Sequence, residues 1–181
     1  AAYICGVTGT SNTAAASLYG IPPVGTHAHS WVQGFESELT AFRTFAETYP
    51  EDTTLLVDTY DTLASGVPHA IQVGLELKRQ GKQLGGIRLD SGDLAYFSRK
   101  ARQALDEAGL EDVKIVASNQ LDESLILSLL DQGAPIDVFG VGTRLVTAHD
   151  QPALDGVYKM SVMDDRPTLK FSENPEKINL P

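Results

Sequence analysis

The chain has 181 residues, 42% of them hydrophobic and 21% charged, and its 24 acidic and 14 basic side chains give a net charge of −10. This composition is typical of a globular domain and excludes a disordered chain, and the acidic balance argues against a nucleic-acid partner. A single cysteine excludes an intrachain disulfide framework, and we see neither a membrane-spanning apolar run nor a signal peptide. We therefore expect a cytoplasmic protein without a membrane partner, in which Cys5 is a small buried hydrophobic residue.

Strands and helices alternate along most of the chain. A short helix is expected from Asn12 to Tyr19, capped by Ser11 or Asn12 and ended by Gly20, and an amphipathic helix from Glu36 to Tyr49. The pattern then predicts strands at 53–57, 84–89, 113–117 and 136–139, and helices at 67–80, 94–108 and 121–131. After Ala153, short alternating pieces on either side of Asp164 and Asp165 predict an antiparallel hairpin.

This alternation predicts an α/β fold with parallel strands. Four to five β/α units fall short of a closed eight-stranded barrel, which takes roughly 250 residues. The chain is therefore either an open α/β sheet or part of something larger, and we expect the second, an incomplete β/α barrel. Residues 1–152 would form the barrel portion, and residues 153–181 would form a short, truncated, β-rich C-terminal extension.

Five polar signatures each follow a run that reads as a strand or an extended segment. They are GTHAHS (25–30), VDTYDT (57–62), IRLDSGD (87–93), ASNQLDE (117–123) and FGVGT (139–143). The carboxyl ends of parallel strands lie on one rim of a sheet or barrel, where active sites are found. Residues far apart in sequence are thus expected to share one pocket.

His29 is the first candidate for chemistry. His27 and His29 lie two residues apart, and on an extended segment their side chains would project to the same face. A metal site would need a third ligand, and no other His/Cys cluster supplies one convincingly. Asp58 ends a neighbouring predicted strand and could orient the His29 imidazole, as a carboxylate does for a histidine acting as nucleophile or base.

Arg88 and Asp90 should point the same way from the end of their strand into the rim. For Asp90 we favour a functional role, whereas Asp93 could equally be the cap of the next helix. Asp122 and Glu123 are expected to be structural, because acidic side chains favour the first turn of a helix. His69 and His149 are also expected to be structural.

Gly140, Gly142 and Thr143 could form a phosphate-binding loop of backbone N–H groups, to which Arg144 adds positive charge. A short Gly-rich loop is a weak signal, however, and is often only a tight turn. The loop that contains Ser11 and Asn12 could likewise bind a phosphate or be only a tight turn.

The signature strings, in this order and spacing, resemble the G-T-x-A-H-S, D-T-Y-D-T, R-L-D-S-G-D, S-N-x-L-D-E and F-G-V-G-T segments of nicotinate phosphoribosyltransferases. That resemblance covers nearly the whole chain and implies a type II phosphoribosyltransferase barrel. It also implies that nicotinate and phosphoribosyl pyrophosphate react, in NAD salvage, to give nicotinate mononucleotide and pyrophosphate. Further implications are ATP hydrolysis through a transient phosphohistidine, Mg²⁺ bound to the pyrophosphate, and a homodimer that shares its sites between subunits.

Residue by residue, the resemblance makes His29 the phosphohistidine and Asp58 its acidic neighbour. It places Arg88 and Asp90 at the base and ribose site, where Asp90 could also bind the substrate's Mg²⁺ and Arg88 could recognise the nicotinate carboxylate. Asn119 would face the ribose, and Ser11 and Asn12 are further candidates for substrate binding. The 5′-phosphate loop would comprise Gly140, Gly142 and Thr143.

Two alternatives stay open. One is a nicotinamide-using or quinolinate-using relative of the same fold, and the other is a non-catalytic nucleotide-binding barrel module. The sequence departs from the family in length, since an N-terminal domain and a base-stacking aromatic residue are not found. We therefore expect the 181 residues alone to have little or no activity.

Overall fold

The computed structural model describes residues 1–51, 53–154, 156, 160 and 162–168. It divides the chain into two compact units, Ala1–Thr147 and Ala148–Pro181. Within the described residues, no helix is long and apolar enough to cross a membrane.

A four-stranded parallel sheet organises the first unit. Its strands are paired in the order β1-β2-β3-β4, which is also their order along the chain. The strands are β1 (Thr54–Leu56), β2 (Gly86–Leu89), β3 (Lys114–Ala117) and β4 (Val138–Phe139). All three pairings are parallel, with Leu55 opposite Ile87 and Ile87 opposite Ile115. The predicted α/β fold with parallel strands is therefore confirmed.

Helices precede, connect and follow these strands; the bounds of most lie close to the predicted ones, whereas two short helices were not predicted. They are α1 (Thr13–Tyr19), α2 (His29–Gln33), α3 (Glu38–Thr48), α4 (Val67–Arg79), α5 (Leu94–Glu107), α6 (Glu123–Asp131) and α7 (Thr143–Val146). Side-chain oxygens of Asn12, Ser37, Asp93 and Asp122 accept hydrogen bonds from the first turns of α1, α3, α5 and α6. Asp93 and Asp122 therefore do act as helix caps.

The core lies between the sheet and its helices. Leu55, Ile87 and Ile115 are each fully buried and stand opposite one another in the register of the sheet. The alternate positions Arg88 and Val116 are only partly buried. Because side chains alternate across a strand, one face of the sheet is closed by helices, while the other carries the polar side chain of Arg88.

Two local features differ from the expectation. The chain turns into helix α2 at His29, where an extended segment was expected, and a π-helical turn, Thr62–Gly66, precedes α4. A Cβ at Gly66 would overlap the carbonyl oxygen of Val57, so only glycine allows this turn to pack directly on the end of β1.

The prediction that Cys5 is buried is wrong. Its side chain is exposed, because residues 1–7 form hydrogen-bonded turns and not a strand, and Ile4 is 90% exposed. An apolar run thus gave a false signal of burial here.

The second unit contains a short antiparallel hairpin of β5 (Val162–Met163) and β6 (Arg166–Pro167). Asp164 and Asp165, with φ values of 47° and 59°, form its two-residue turn. Positive φ at both central residues is what a type I′ turn requires, and it matches the twist of a hairpin. The hairpin expectation is confirmed for the described residues, whereas residues 158, 159, 161 and 169–171 of the expected strands lie outside them. The expected boundary at residue 152 stays a prediction.

Candidate functional site

The polar signatures converge because the backbone pairing of the sheet continues just past its strands. Ser118 N–H donates to the carbonyl of Leu89 at 2.9 Å, and Gly140 N–H donates to that of Ala117 at 2.8 Å. Residues that directly follow β1, β2, β3 and β4 therefore lie side by side on one rim, as the parallel topology predicts.

Asp58 is the most buried charged group on this rim, with its side chain 1% exposed. Its Oδ2 accepts hydrogen bonds from Asp90 N–H at 3.0 Å and from Ser91 Oγ at 2.5 Å. Its Oδ1 is buried without a hydrogen-bond partner among the described residues and lies 3.9 Å from His29 Nε2. A buried carboxylate oxygen without a donor is a strong hydrogen-bond acceptor, so Oδ1 of Asp58 is available to one neighbouring group.

His29, at the first position of α2, is that neighbour, and its side chain is 40% exposed. Its Nε2 also lies 3.8 Å from Asp90 Oδ2, and its Nδ1 forms a 3.0 Å hydrogen bond with Thr59 Oγ1. The imidazole therefore has one nitrogen fixed by a hydroxyl and the other facing two carboxylates. Thr59 was missed at the sequence level, although it stands beside Asp58 in the DTYDT string.

His27 does not share this face, so the expectation of two parallel histidines is wrong. Its ring is buried against Phe42 and Phe45, and its Nε2 accepts a hydrogen bond from Leu56 N–H at 3.1 Å. Burial lowers the pKa of His27 to about 4, with smaller contributions from the positive charges of Arg88 and His29. His27 is thus a neutral structural residue that completes the hydrogen bonding of β1.

Arg88 makes three hydrogen bonds from its guanidinium group. Nε donates to Ser118 Oγ at 2.7 Å, one terminal nitrogen donates to Thr26 Oγ1 at 2.8 Å, and the other donates to Asp90 Oδ1 at 2.8 Å. Each terminal nitrogen keeps one further N–H, so the group can still bind an anion after these contacts. The planar guanidinium group, fixed by these hydrogen bonds, holds its positive charge at the rim.

Asp90 is held ionised by these neighbours. Burial raises its pKa, but hydrogen bonds from Ser118 and Arg88, with the charges of Arg88 and His29, outweigh burial and hold the pKa of Asp90 below its usual value. Because Oδ1 is used by Ser118 and Arg88, Oδ2 remains the oxygen that faces His29.

The remaining strand ends contribute exposed groups. Asn119 is exposed in a left-handed conformation, with φ at 84°, directly after Ser118. Gly140 packs close to Ser118, since a Cβ there would lie 3.4 Å from the Ser118 Cβ. Gly142 follows on an exposed loop, and the exposed Thr143 is the first residue of α7. The structure thus places Asn119 and Gly140 beside Ser118, whose Oγ contacts Arg88 and Asp90, while ribose and phosphate binding by Asn119, Gly140, Gly142 and Thr143 stays a prediction.

Arg144 contributes differently from the expectation, because its guanidinium is paired with the carboxylate of Asp122. Asp122 Oδ1 also caps α6 through Leu125 N–H. The pair therefore links the start of α6 to α7, and the positive charge beside the Gly-rich loop is largely compensated.

Ser11 and Asn12 lie on a separate loop. Asn12 makes local hydrogen bonds, from its N–H to Thr10 Oγ1 at 3.1 Å and from Ala15 N–H to its Oδ1 at 2.9 Å. Thr10 pairs with Pro23, which places this loop beside the segment that leads to Thr26. The capping role of Asn12 is visible, and substrate binding by Ser11 and Asn12 stays a prediction.

Comparison with known proteins decides the family. The model of the nicotinate phosphoribosyltransferase (NAPRTase) family matches residues 3–175. The chain belongs to this family. It is 53% identical over 187 residues to the nicotinate phosphoribosyltransferase of Bacillus subtilis, a match that covers 100% of the chain but 37% of that relative.

Solved structures agree with this family assignment. Human nicotinic acid phosphoribosyltransferase is 28% identical, with a TM-score of 0.72. The match covers 77% of the chain and 38% of the human protein's chain. A nicotinate-nucleotide pyrophosphorylase from Pyrococcus furiosus is also 28% identical, with a TM-score of 0.65, over 78% of the chain and 36% of its own length. The chain therefore spans less than half the length of these relatives.

Asp90 is the residue of this rim that could hold a Mg²⁺ ion bound to the substrate. The described residues contain no group of three or more His, Cys, Asp or Glu side chains that could hold a metal ion. Asp90 Oδ2 is a partly exposed carboxylate oxygen on the rim, and Mg²⁺ commonly binds one or two carboxylates together with substrate phosphates. Asp90 could thus bind the ion that the resemblance implies, and Mg²⁺ binding stays a prediction.

Proposed function

We propose that the protein containing this chain transfers phosphoribosyl from phosphoribosyl pyrophosphate to nicotinate, giving nicotinate mononucleotide and pyrophosphate, and couples this transfer to ATP hydrolysis. The observation that carries the proposal is the position of His29, with Thr59 on one ring nitrogen and Asp58 and Asp90 facing the other. The family assignment supports the choice of substrates.

His29 has the surroundings that a phosphoryl acceptor needs. A ring nitrogen attacks the terminal phosphorus of ATP, the bond to the bridging oxygen breaks, and ADP leaves. The ring then carries more positive charge, which the buried carboxylate of Asp58 stabilises at low dielectric. Water later cleaves the phosphorus–nitrogen bond and releases inorganic phosphate, which returns His29 to its starting state.

Phosphoribosyl transfer requires positioning more than a protein nucleophile. Positive charge develops on the ribose as pyrophosphate leaves, and the ionised carboxylate of Asp90 stabilises it. Asn119 would bind the ribose hydroxyls, and the exposed loop of Gly140, Gly142 and Thr143 would bind the 5′-phosphate. Mg²⁺, bound through Asp90 and the pyrophosphate, would neutralise the leaving group.

Arg88 would bind the carboxylate of nicotinate with its two remaining terminal N–H groups. This contact is what would separate nicotinate from nicotinamide, because an amide offers no negative charge. A nicotinamide-using or quinolinate-using enzyme of the same fold is the second candidate.

The parallel sheet supports a partial β/α barrel, because four consecutive β/α units are already in sequential order. We include in the proposal that this chain is the site-bearing part of a cytoplasmic homodimer, and that it has little or no activity alone. The match to only 37% of the Bacillus subtilis relative supports that expectation of low activity.

The test is product detection by mass spectrometry with the full-length protein. The reaction contains phosphoribosyl pyrophosphate and Mg²⁺ with nicotinate or nicotinamide, each with and without ATP. We expect nicotinate mononucleotide, with a higher rate when ATP is present, and we expect His29→Ala to abolish the ATP effect.

His149→Ala is the matched control, since His149 is exposed and lies in the other unit. Undiminished ATP stimulation in His29→Ala would remove the phosphohistidine from the proposal. Product from nicotinamide alone would move the assignment to the second candidate, and no product from either base would favour a binding module.

A further inference from the structure

Glu38 is a buried carboxylate outside the site described above. It is the first residue of α3 and is 4% exposed, although an acidic residue in a first helical turn usually faces solvent. The cap of this helix is supplied by Ser37, whose Oγ accepts from Thr40 N–H at 3.2 Å. Capping therefore does not explain why Glu38 is turned inward.

The Glu38 carboxylate connects α3 to the segment that follows β1. Its Oε2 accepts a hydrogen bond from Ser65 Oγ, in the π-helical turn, and pairs with His69 Nδ1 at 2.8 Å, in the first turns of α4. Its Oε1 is buried with no hydrogen-bond partner among the described residues. Burying a carboxylate in this way is costly, so the contact fixes geometry more than it adds stability.

Ser65 directly precedes Gly66, which makes a close backbone contact. Gly66 packs directly on the Val57 carbonyl, and its N–H donates to the carbonyl of Asp61 at 2.8 Å. Val57 immediately precedes Asp58. The π-helical turn held by Glu38 therefore borders both ends of the loop 58–61, which carries two of the three neighbours of His29, Asp58 and Thr59.

Two chain segments are thus joined at both ends. The segment 29–38 begins with His29 and ends with Glu38, and the segment 58–69 begins with Asp58 and ends with His69. At one end His29 contacts Thr59 and Asp58, and at the other end Glu38 contacts Ser65 and His69. The indole N–H of Trp31 donates to the Ala41 carbonyl at 3.0 Å and stiffens the first segment.

We propose that Glu38 is a positioning residue for His29, acting through the π-helical turn to hold Thr59 and Asp58 against the imidazole. π-Helical turns are rare and are often found at functional sites, where they set the position of a neighbouring group. Glu38 touches no reacting atom, so its role is to limit the movement of the loop 58–61. The kinetic part of this inference rests on the proposed function, whereas the geometric part does not.

The test uses the full-length protein with Glu38→Gln, which keeps the shape of the side chain and removes its charge. Ser65→Ala is a second variant that removes one hydrogen bond with little change of volume, and it decides the question if Glu38→Gln does not fold. Glu47→Gln is the matched control, because Glu47 lies exposed on the same helix.

The first readout is the ¹⁵N resonances of the His29 ring in histidine-labelled protein, which report its contacts and need no activity. We expect them to shift in Glu38→Gln and Ser65→Ala and to stay in place in Glu47→Gln. The second readout is ATP stimulation of nicotinate mononucleotide formation. It should fall about tenfold in Glu38→Gln, because a 1 Å misplacement costs about 100-fold and we expect a smaller displacement of His29. The ATP-independent rate should stay within about twofold.

Unchanged His29 resonances in a folded Glu38→Gln or Ser65→Ala protein would overturn the inference. An equal loss of the ATP-dependent and ATP-independent rates would also overturn it, because that pattern indicates a general structural role. Absence of product from the wild-type protein would refute the proposed function instead, and the His29 resonances would still test the position of Glu38.

Discussion

His27 leads to a prediction of how the free energy of unfolding changes with pH. In the folded chain its pKa is about 4, against an ordinary value of 6.5, because the ring is buried and its Nε2 accepts from Leu56 N–H. Between these two values the unfolded chain binds a proton that the folded chain does not. The contribution of His27 to the free energy of unfolding is therefore fully present above pH 6.5 and is lost as the pH falls towards 4.

The expected size follows from the two pKa values. Going from pH 7.5 to pH 5.0 should lower the free energy of unfolding by about 2 kcal/mol through His27, from about 1.4 kcal/mol for each pH unit below 6.5. The assay is urea unfolding of the 181-residue chain at both pH values, followed by the fluorescence of its one tryptophan, Trp31.

His27→Gln should remove this pH dependence, because its side-chain oxygen can still accept from Leu56 N–H but does not titrate. His149→Gln makes the same substitution at an exposed position and should keep the wild-type pH dependence. Equal pH dependence in wild type and His27→Gln would refute the reasoning. So would an NMR titration that places the pKa of folded His27 near 6.5.

Two further substitutions test single contacts of the rim. Thr59→Val in the full-length protein should reduce ATP stimulation about threefold to tenfold, because the hydrogen bond to His29 is lost. Thr59→Ser keeps the hydroxyl and should keep the full ATP stimulation. Full ATP stimulation in Thr59→Val would contradict this role of Thr59. Gly66→Ala should lower the free energy of unfolding by about 3 kcal/mol, because its Cβ meets the backbone of Val57, while Gly25→Ala enters open space and should change it little. Urea unfolding measures both glycine variants, and equal values for the two would show that the π-helical turn yields easily.

Much of the fold was predictable, because it depends on periodicity. The four parallel strands lie within their expected ranges, and α4 and α5 end within one residue of the expected position. The convergence of Asp58, Asp90 and Ser118 also follows from sequence, since consecutive parallel strands must present the same ends on one rim. Arg88 and Asp90 point the same way, as alternation along a strand requires, and form an ion pair at 2.8 Å.

The details of the site depended on tertiary contacts that no periodic pattern contains. The π-helical turn exists because Gly66 fits against the Val57 backbone, and nothing in TLASG signals that contact. Arg144 was expected to add charge for a phosphate, but the distance between Asp122 and Arg144 in the sequence hid their pairing. Glu38 was not singled out in the sequence, because the side chains that meet it are about 30 positions further along the chain.

The start of α2 explains how two histidines separated by one residue acquire opposite roles. On a strand, positions i and i+2 share a face, but Ala28 is the last extended residue, with φ −95° and ψ 167°, and the helix begins at His29. His27 is consequently directed into the aromatic core, where it must stay neutral, while His29 is directed to the carboxylates of Asp58 and Asp90. A shift of this helix start by one residue would move His29 away from Thr59 and would also break the bond between His27 and Leu56. Stability of the β1 edge and reactivity of the rim are therefore set by the same backbone turn, so a substitution that delays α2 should impair both together.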